Sequence, residues 1–150
     1  MSTQKPLPST SRSLPIALLR ARERVMGPIR MMLTDVGITE QQWRVLRVLE
    51  ETGPLDPTRI SEKACLLLPS LTRILQKLEE KELILRSRDQ TDRRRQVICI
   101  TEAGEALIEA NLSTSIALTE RLRREMGQDR YEALLDLLND LSNLDLDGMP

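Results

Sequence analysis

The chain has 150 residues, 30% of them charged and 40% apolar, with 22 Lys and Arg against 23 Asp and Glu for a formal charge of −1. That composition excludes a disordered chain or a membrane protein, because no apolar run nears the roughly 20 residues that span a bilayer. Histidine is absent, the six glycines are scattered singly and there are two cysteines, which excludes His-based triads, Gly-rich phosphate loops, disulfide frameworks and zinc sites; no catalytic residue, cofactor or metal is expected.

Residues 1–12 contain Lys5 but no continuous apolar stretch. They are expected to form a flexible arm rather than a secretory signal, with a cytoplasmic location as the default. From Leu14 to Val36 apolar residues recur at threes and fours, which predicts a helix, bent at Pro28 or continuous through it, with Gly37 as its stop. Thr39 and Gln42 make a capping box for a second helix through Thr52, ended by Gly53-Pro54. Asp56-Pro57 starts a short third helix to about Cys65, as N-cap and first helical residue. Pro69 opens a fourth, with Leu71, Ile74, Leu75 and Leu78 as the inward stripe. Leu83–Arg88 and Gln96–Ile100 read as two strands joined by a polar tip. Thr101 caps a long helix to Met126, Gly127 stops it, and Asp129 with Glu132 is expected to box the start of a last helix through Leu141.

The expected fold is therefore mainly α with a small β-hairpin. A winged helix-turn-helix lobe occupies residues 38–101, and further helices lie at 13–37 and 102–145. Leu107, Ile108, Leu112, Ile116, Leu118, Leu122 and Met126 need an apolar partner, which predicts that the terminal helices pair two copies into a homodimer. Cys65 and Cys99 sit in apolar runs and read as small buried hydrophobes. An exposed Cys65 with electropositive neighbours would instead serve a thiol-responsive regulator.

Charge is distributed unevenly. The stretch RSRDQTDRRR holds Arg86, Arg88, Arg93, Arg94 and Arg95 against Asp89 and Asp92, a local surplus in a slightly acidic chain. On the fourth helix Ser70, Thr72, Arg73, Gln76 and Lys77 come first and Glu79, Glu80 and Glu82 last, the reverse of what the helix dipole favours. A cationic hairpin tip beside such a helix suits double-stranded DNA, with the helix in the major groove and guanidinium groups in the minor groove. Asp92 is expected to bond Arg94 or the tip amides and so hold the arginine extended. With no Phe, one Trp and one Tyr, stacking platforms for single-stranded bases are missing. A helical protein-interaction module with a basic hairpin is the alternative of another class, and absence of salt-sensitive duplex binding would favour it.

These residues resemble the MarR family of bacterial winged-helix regulators. LTRILQKLEEKELILRSRDQTDRRRQVICITEAGEAL is similar to that family's recognition helix, wing and following helix, and Asp92-Arg93-Arg94 matches its D-x-R wing motif. SLPIALLRARERVM, GITEQQWRVLRVLEE and ACLLLPSLTRIL resemble the subgroup regulating homoprotocatechuate (4-hydroxyphenylacetate) degradation operons. The resemblance implies a homodimer on a pseudo-palindromic operator, usually a repressor, released by a small phenolic or aromatic acid held between the DNA-binding lobe and the dimerisation helices. It also implies Ser70, Thr72 and Arg73 as recognition-helix contacts, Arg94 as the minor-groove arginine, and Arg93 and Arg95 as backbone contacts. Candidates for the effector are Arg20, Arg22 or Arg24 as the cation and Trp43 as the flat wall, with core packing and surface ion pairs as their alternative roles. One departure stands out: the family generally has Gly where this chain has Glu82, so the junction is either a strained left-handed turn or a different turn.

Overall fold

The structure, a computed structural model, describes residues 6–148. A single 3-10 turn, Thr10–Arg12, precedes α1 (Leu14–Asp35), α2 (Glu40–Thr52), α3 (Pro57–Ala64), α4 (Leu68–Glu80), β1 (Ile84–Arg88), β2 (Gln96–Ile100), α5 (Glu102–Met126) and α6 (Gln128–Ser142). Of the expected arm, residues 1–5 lie outside the described residues. The chain forms two compact units, one ending at Asn111 and the other beginning at Leu112. Among the described residues no helix is long and apolar enough to cross a membrane.

The local signals act where the sequence places them. Thr39 Oγ1 accepts the Gln42 N–H at 3.1 Å while Gln42 Oε1 accepts the Thr39 N–H at 3.1 Å, closing the capping box of α2. Asp56 Oδ1 accepts the Arg59 N–H at 2.9 Å, with Pro57 opening α3. Thr101 Oγ1 accepts the Gly104 N–H at 3.1 Å at the start of α5. α1 runs unbroken through Pro28, whose missing N–H removes one rung without ending the helix. After it, Ile38 N–H bonds Leu33 C=O and Gly37 N–H bonds Thr34 C=O, with Gly37 at φ +70°. That is a Schellman stop, sealed by the buried Leu33 and Ile38.

Two expectations are corrected. α6 starts at Gln128 with Gly127 as N-cap and no side-chain cap; Asp129 lies inside the first turn, where its carboxylate faces the helix dipole without capping it. Cys65 is exposed and Cys99 only half-buried. The apolar run around Cys65 is no core segment: it is the turn from α3 into α4, where Leu67 and Leu68 are exposed too. Beyond its two strands, the hairpin also carries a one-residue bridge. Leu55 and Ile98 exchange both main-chain bonds, at 3.1 and 2.8 Å, so the loop between α2 and α3 is stitched onto β2.

The core of the first unit is aliphatic. Val45, Leu46 and Leu49 from α2, Ile60 from α3, Leu71, Leu75 and Leu78 from α4, and Ile84 and Ile98 from the hairpin are all but completely buried. Truncating any of these to alanine falls in the class of change that costs roughly 2–5 kcal/mol. α4 ends as α1 does: Leu83 N–H bonds Leu78 C=O at 3.0 Å and Glu82 N–H bonds Glu79 C=O at 2.9 Å. Here the left-handed position is Glu82, at φ +59°. Of the two alternatives for this junction, the strained left-handed turn is the one present. Glu82→Gly is expected to raise stability by up to about 1 kcal/mol, read as a higher denaturation midpoint; an unchanged or lower midpoint would show the turn is unstrained.

In the second unit, Arg123 donates to Glu120 at 2.9 Å and to Glu132 at 3.5 Å, and its guanidinium lies 5.2 Å from the Tyr131 ring centre. α6 buries none of its residues, and Leu134, Leu135, Leu137 and Leu138 are all exposed.

Candidate nucleic-acid interface

On α4 the sequence stripe separates as its period demands. Leu71, Leu75 and Leu78 are buried, whereas Ser70, Thr72, Arg73, Gln76 and Lys77 are exposed. The helix begins without a side-chain cap at Leu67, so its first N–H groups and the positive end of its dipole are open to an anion. Ser70, Arg73 and Lys77 line a groove of about 600 Å³ together with Gln41 and Arg44 of α2, and no carboxylate borders it. Arg44 reaches across to donate from Nη1 to Ala64 C=O at 2.9 Å, which caps the end of α3; burial lowers its pKa, the positive field of Arg22 adding to the effect.

The wing tip is held by two aspartates. Asp89 Oδ1 accepts the Thr91 N–H at 3.0 Å and the Thr91 hydroxyl at 2.8 Å. Asp92 Oδ1 accepts the Arg94 N–H at 3.1 Å, so Asp92 uses a tip amide and leaves the Arg94 side chain free. The Thr91 amide and hydroxyl hold the Asp89 carboxyl below the usual carboxylate range, with Arg95 adding to the effect. Main-chain bonds from Asp89 N–H to Arg95 C=O at 2.9 Å and from Arg95 N–H to Asp92 C=O at 3.0 Å close the loop. Asp89 appeared in the sequence only as a charge; the D-x-T spacing of an Asx turn was the signal available.

The five wing arginines do different work. Arg86 Nε and Nη2 each donate to Glu79 at 3.1 Å, tying β1 to the last turn of α4. That bond raises the Arg86 pKa and lowers that of Glu79. Arg88 Nη1 donates to Arg93 C=O at 2.9 Å, inside the tip. Arg95 lies 3.7 Å from Asp56, the cap of α3. The Arg93 and Arg94 side chains, and that of Arg73 on α4, have no hydrogen-bond or ion-pair partner among the described residues, whereas each of the other arginines of residues 38–101 has one. Arg88, Arg94 and Arg95 border a groove of about 650 Å³ whose opposite wall is Asp56, the cap of α3, with Thr58 and Arg59 of that helix. Thr58 and Arg59 had no place in the sequence reading, although Asp56-Pro57 had located that helix start.

The four effector candidates are scattered. Trp43 is 9% exposed and packs in the aliphatic core. Arg22 forms an ion pair with Glu40, the first residue of α2. Arg20 donates to Thr10 at 3.0 Å. Arg24 is exposed. The grooves beside α4 and beside the wing are lined by none of the four.

Comparison with known proteins agrees with this geometry. Residues 38–95 match the MarR family. The chain is 36% identical over 140 residues to the HTH-type transcriptional regulator FarR of Neisseria gonorrhoeae, covering 93% of this chain and 96% of that protein. It is 34% identical over 128 residues to the homoprotocatechuate degradative operon repressor of Escherichia coli, covering 85% and 86%. The crystal structure of NadR in complex with 4-hydroxyphenylacetate superposes with a TM-score of 0.82 at 35% identity, covering 94% of this chain and all of that one. A winged helix-turn-helix with unpartnered arginines on both helix and wing, matched along nearly its whole length by named regulators, belongs to the MarR family of transcriptional regulators.

Proposed function

We propose that this regulator binds a pseudo-palindromic operator as a homodimer and represses a gene set for aromatic-compound breakdown until a small phenolic acid releases it. The observation that carries the DNA reading is the arginine inventory: in a lobe where the other arginines are engaged internally, Arg73, Arg93 and Arg94 are not. Arg94 goes to the minor groove, Ser70, Thr72, Arg73 and Gln76 to the major groove, and Lys77, Arg93 and Arg95 to the phosphates. Pairing of two copies is supported by the leucines that α6 leaves exposed. The effector class is supported by two similar proteins, one named for homoprotocatechuate degradation and one bound to 4-hydroxyphenylacetate. Of the three candidate arginines, Arg24 alone has a side chain with no partner among the described residues, which makes it the cation to test first. As a DNA-bound regulator it works in the cytoplasm.

Selection from random duplexes tests the reading. The expected result is an inverted repeat with half-sites about one helical turn, ~34 Å, apart, bound with steep salt dependence. Addition of 4-hydroxyphenylacetate should weaken the complex by several kcal/mol if it shifts the dimer from mostly bound to mostly free. Failure to enrich any duplex would return the basic hairpin to a protein-docking role.

A further inference from the structure

β1 and α4 lie side by side, and the register of the hairpin decides which side chains face the helix. Ile84 pairs with Ile100, Arg86 with Ile98 and Arg88 with Gln96. Alternate residues of a strand share a face, so Arg86 stands on the side that Ile84 buries in the core, while Leu85 on the other side is 63% exposed. There its guanidinium meets the Glu79 carboxylate through two bonds of 3.1 Å. A two-pronged pair of this kind fixes an angle as well as a distance. Only three residues, Lys81 to Leu83, carry the main chain from α4 into the strand, and the turn is made at the left-handed Glu82.

We infer that Glu79 and Arg86 act as a brace that sets the pitch of the wing against the recognition helix, and that Arg86 is a positioning residue rather than a DNA contact. This rests on the DNA-binding reading above. Glu79 thus accounts for part of the reversed charge order on α4: an acid at the unfavourable end of the dipole is kept where it holds the wing. The Leu55–Ile98 bridge and the Thr101–Leu83 bond hold the base of the hairpin, while the brace ties β1 directly to the helix that carries Arg73, which lets Arg94 and Arg73 engage adjacent grooves at once.

The test turns on sign. Glu79→Gln removes a negative charge from a DNA-binding lobe and frees an arginine, so simple electrostatics, with Arg86 as a contact, predicts tighter binding. The brace predicts the opposite: a loss of about 3- to 30-fold in affinity for the selected operator. Arg86→Gln should lose a similar factor with the slope of log affinity against log salt unchanged, whereas loss of one phosphate contact per protomer would flatten the slope by about 0.9 for each. The doubly exchanged Glu79→Arg, Arg86→Glu variant should recover part of the affinity, and it serves as well if either single variant folds poorly. Tighter binding by Glu79→Gln, or a flattened slope for Arg86→Gln, overturns the brace. A wild-type protein that binds no duplex refutes the DNA reading itself, a separate outcome.

Discussion

Arg94→Ala is expected to weaken operator binding by about 1–3 kcal/mol while leaving the folded protein as stable as before. The second half follows from the structure: the Arg94 side chain has no intramolecular partner among the described residues, and the tie between its main chain and Asp92 survives the substitution. Nothing in the fold is lost, so any loss of affinity belongs to the contact. The first half follows from where guanidinium gains most. A narrow minor groove concentrates negative potential, and a cation placed there is worth more than one over an open phosphate. Arg93→Ala, at a backbone position, should weaken binding less and equally for every sequence. It should lower the salt slope by about 1 for each phosphate released. Measuring both variants on the selected operator and on a scrambled duplex separates the two roles. If Arg94→Ala binds the operator as tightly as the wild type, Arg94 does not touch DNA.

Most of the fold was legible because its signals are local. The capping box of Thr39 and Gln42, the Asp56-Pro57 start and the Thr101 cap each join groups three residues apart, and spacing alone specifies such bonds. The stripe on α4 was legible for the same reason, since a 3.6-residue period decides which side chains face the core. What escaped was set by distant partners. The Leu55–Ile98 rung is one residue long and lies between prolines, so no alternation announces it. Cys65 was misread because an apolar run between two helices looks like core until the turn geometry shows it exposed, at φ +54°. The wing arginines stand out in the sequence as a cluster, but which of them have internal partners is decided by residues distant in the chain. Arg86 and Arg95 differ from Arg93 and Arg94 only in having Glu79 and Asp56 within reach. For Trp43 the sequence leaves an effector wall and core packing open, and in the structure it packs in the aliphatic core. The strained Glu82 turn was foreseen as one of two alternatives, and the i→i−5 bond from Leu83 to Leu78 decides between them.

Gly104→Ala should destabilise the protein although the substitution lies inside a helix. Helix propensity alone argues for a gain of about 1 kcal/mol. The surroundings argue against it more strongly. A Cβ on Gly104 would lie 2.5 Å from the Leu83 carbonyl oxygen and 2.6 Å from Ile100 Cγ1, closer than real contacts allow. The oxygen belongs to the main chain and cannot swing aside. It accepts the Thr101 N–H at 3.0 Å, while the Thr101 hydroxyl donates to Glu82 C=O at 2.8 Å and accepts from Gly104 itself. To make room, α5 must back away from the base of the wing and pull on all three bonds. Overpacking of this kind costs about 1–3 kcal/mol, and the strained main-chain bonds place Gly104 at the upper end. A net loss near 2 kcal/mol corresponds to a fall in Tm of roughly 4–8 °C for a chain of this size. Because Leu83 leads directly into β1, which carries Arg86, and Ile100 pairs with Ile84 at the wing base, operator affinity should fall along with stability in this variant. In Arg94→Ala the affinity should fall alone. A Gly104→Ala protein that melts at or above the wild-type temperature would show that α5 is free to move off the wing, and that the close packing at Leu83 does not hold it there.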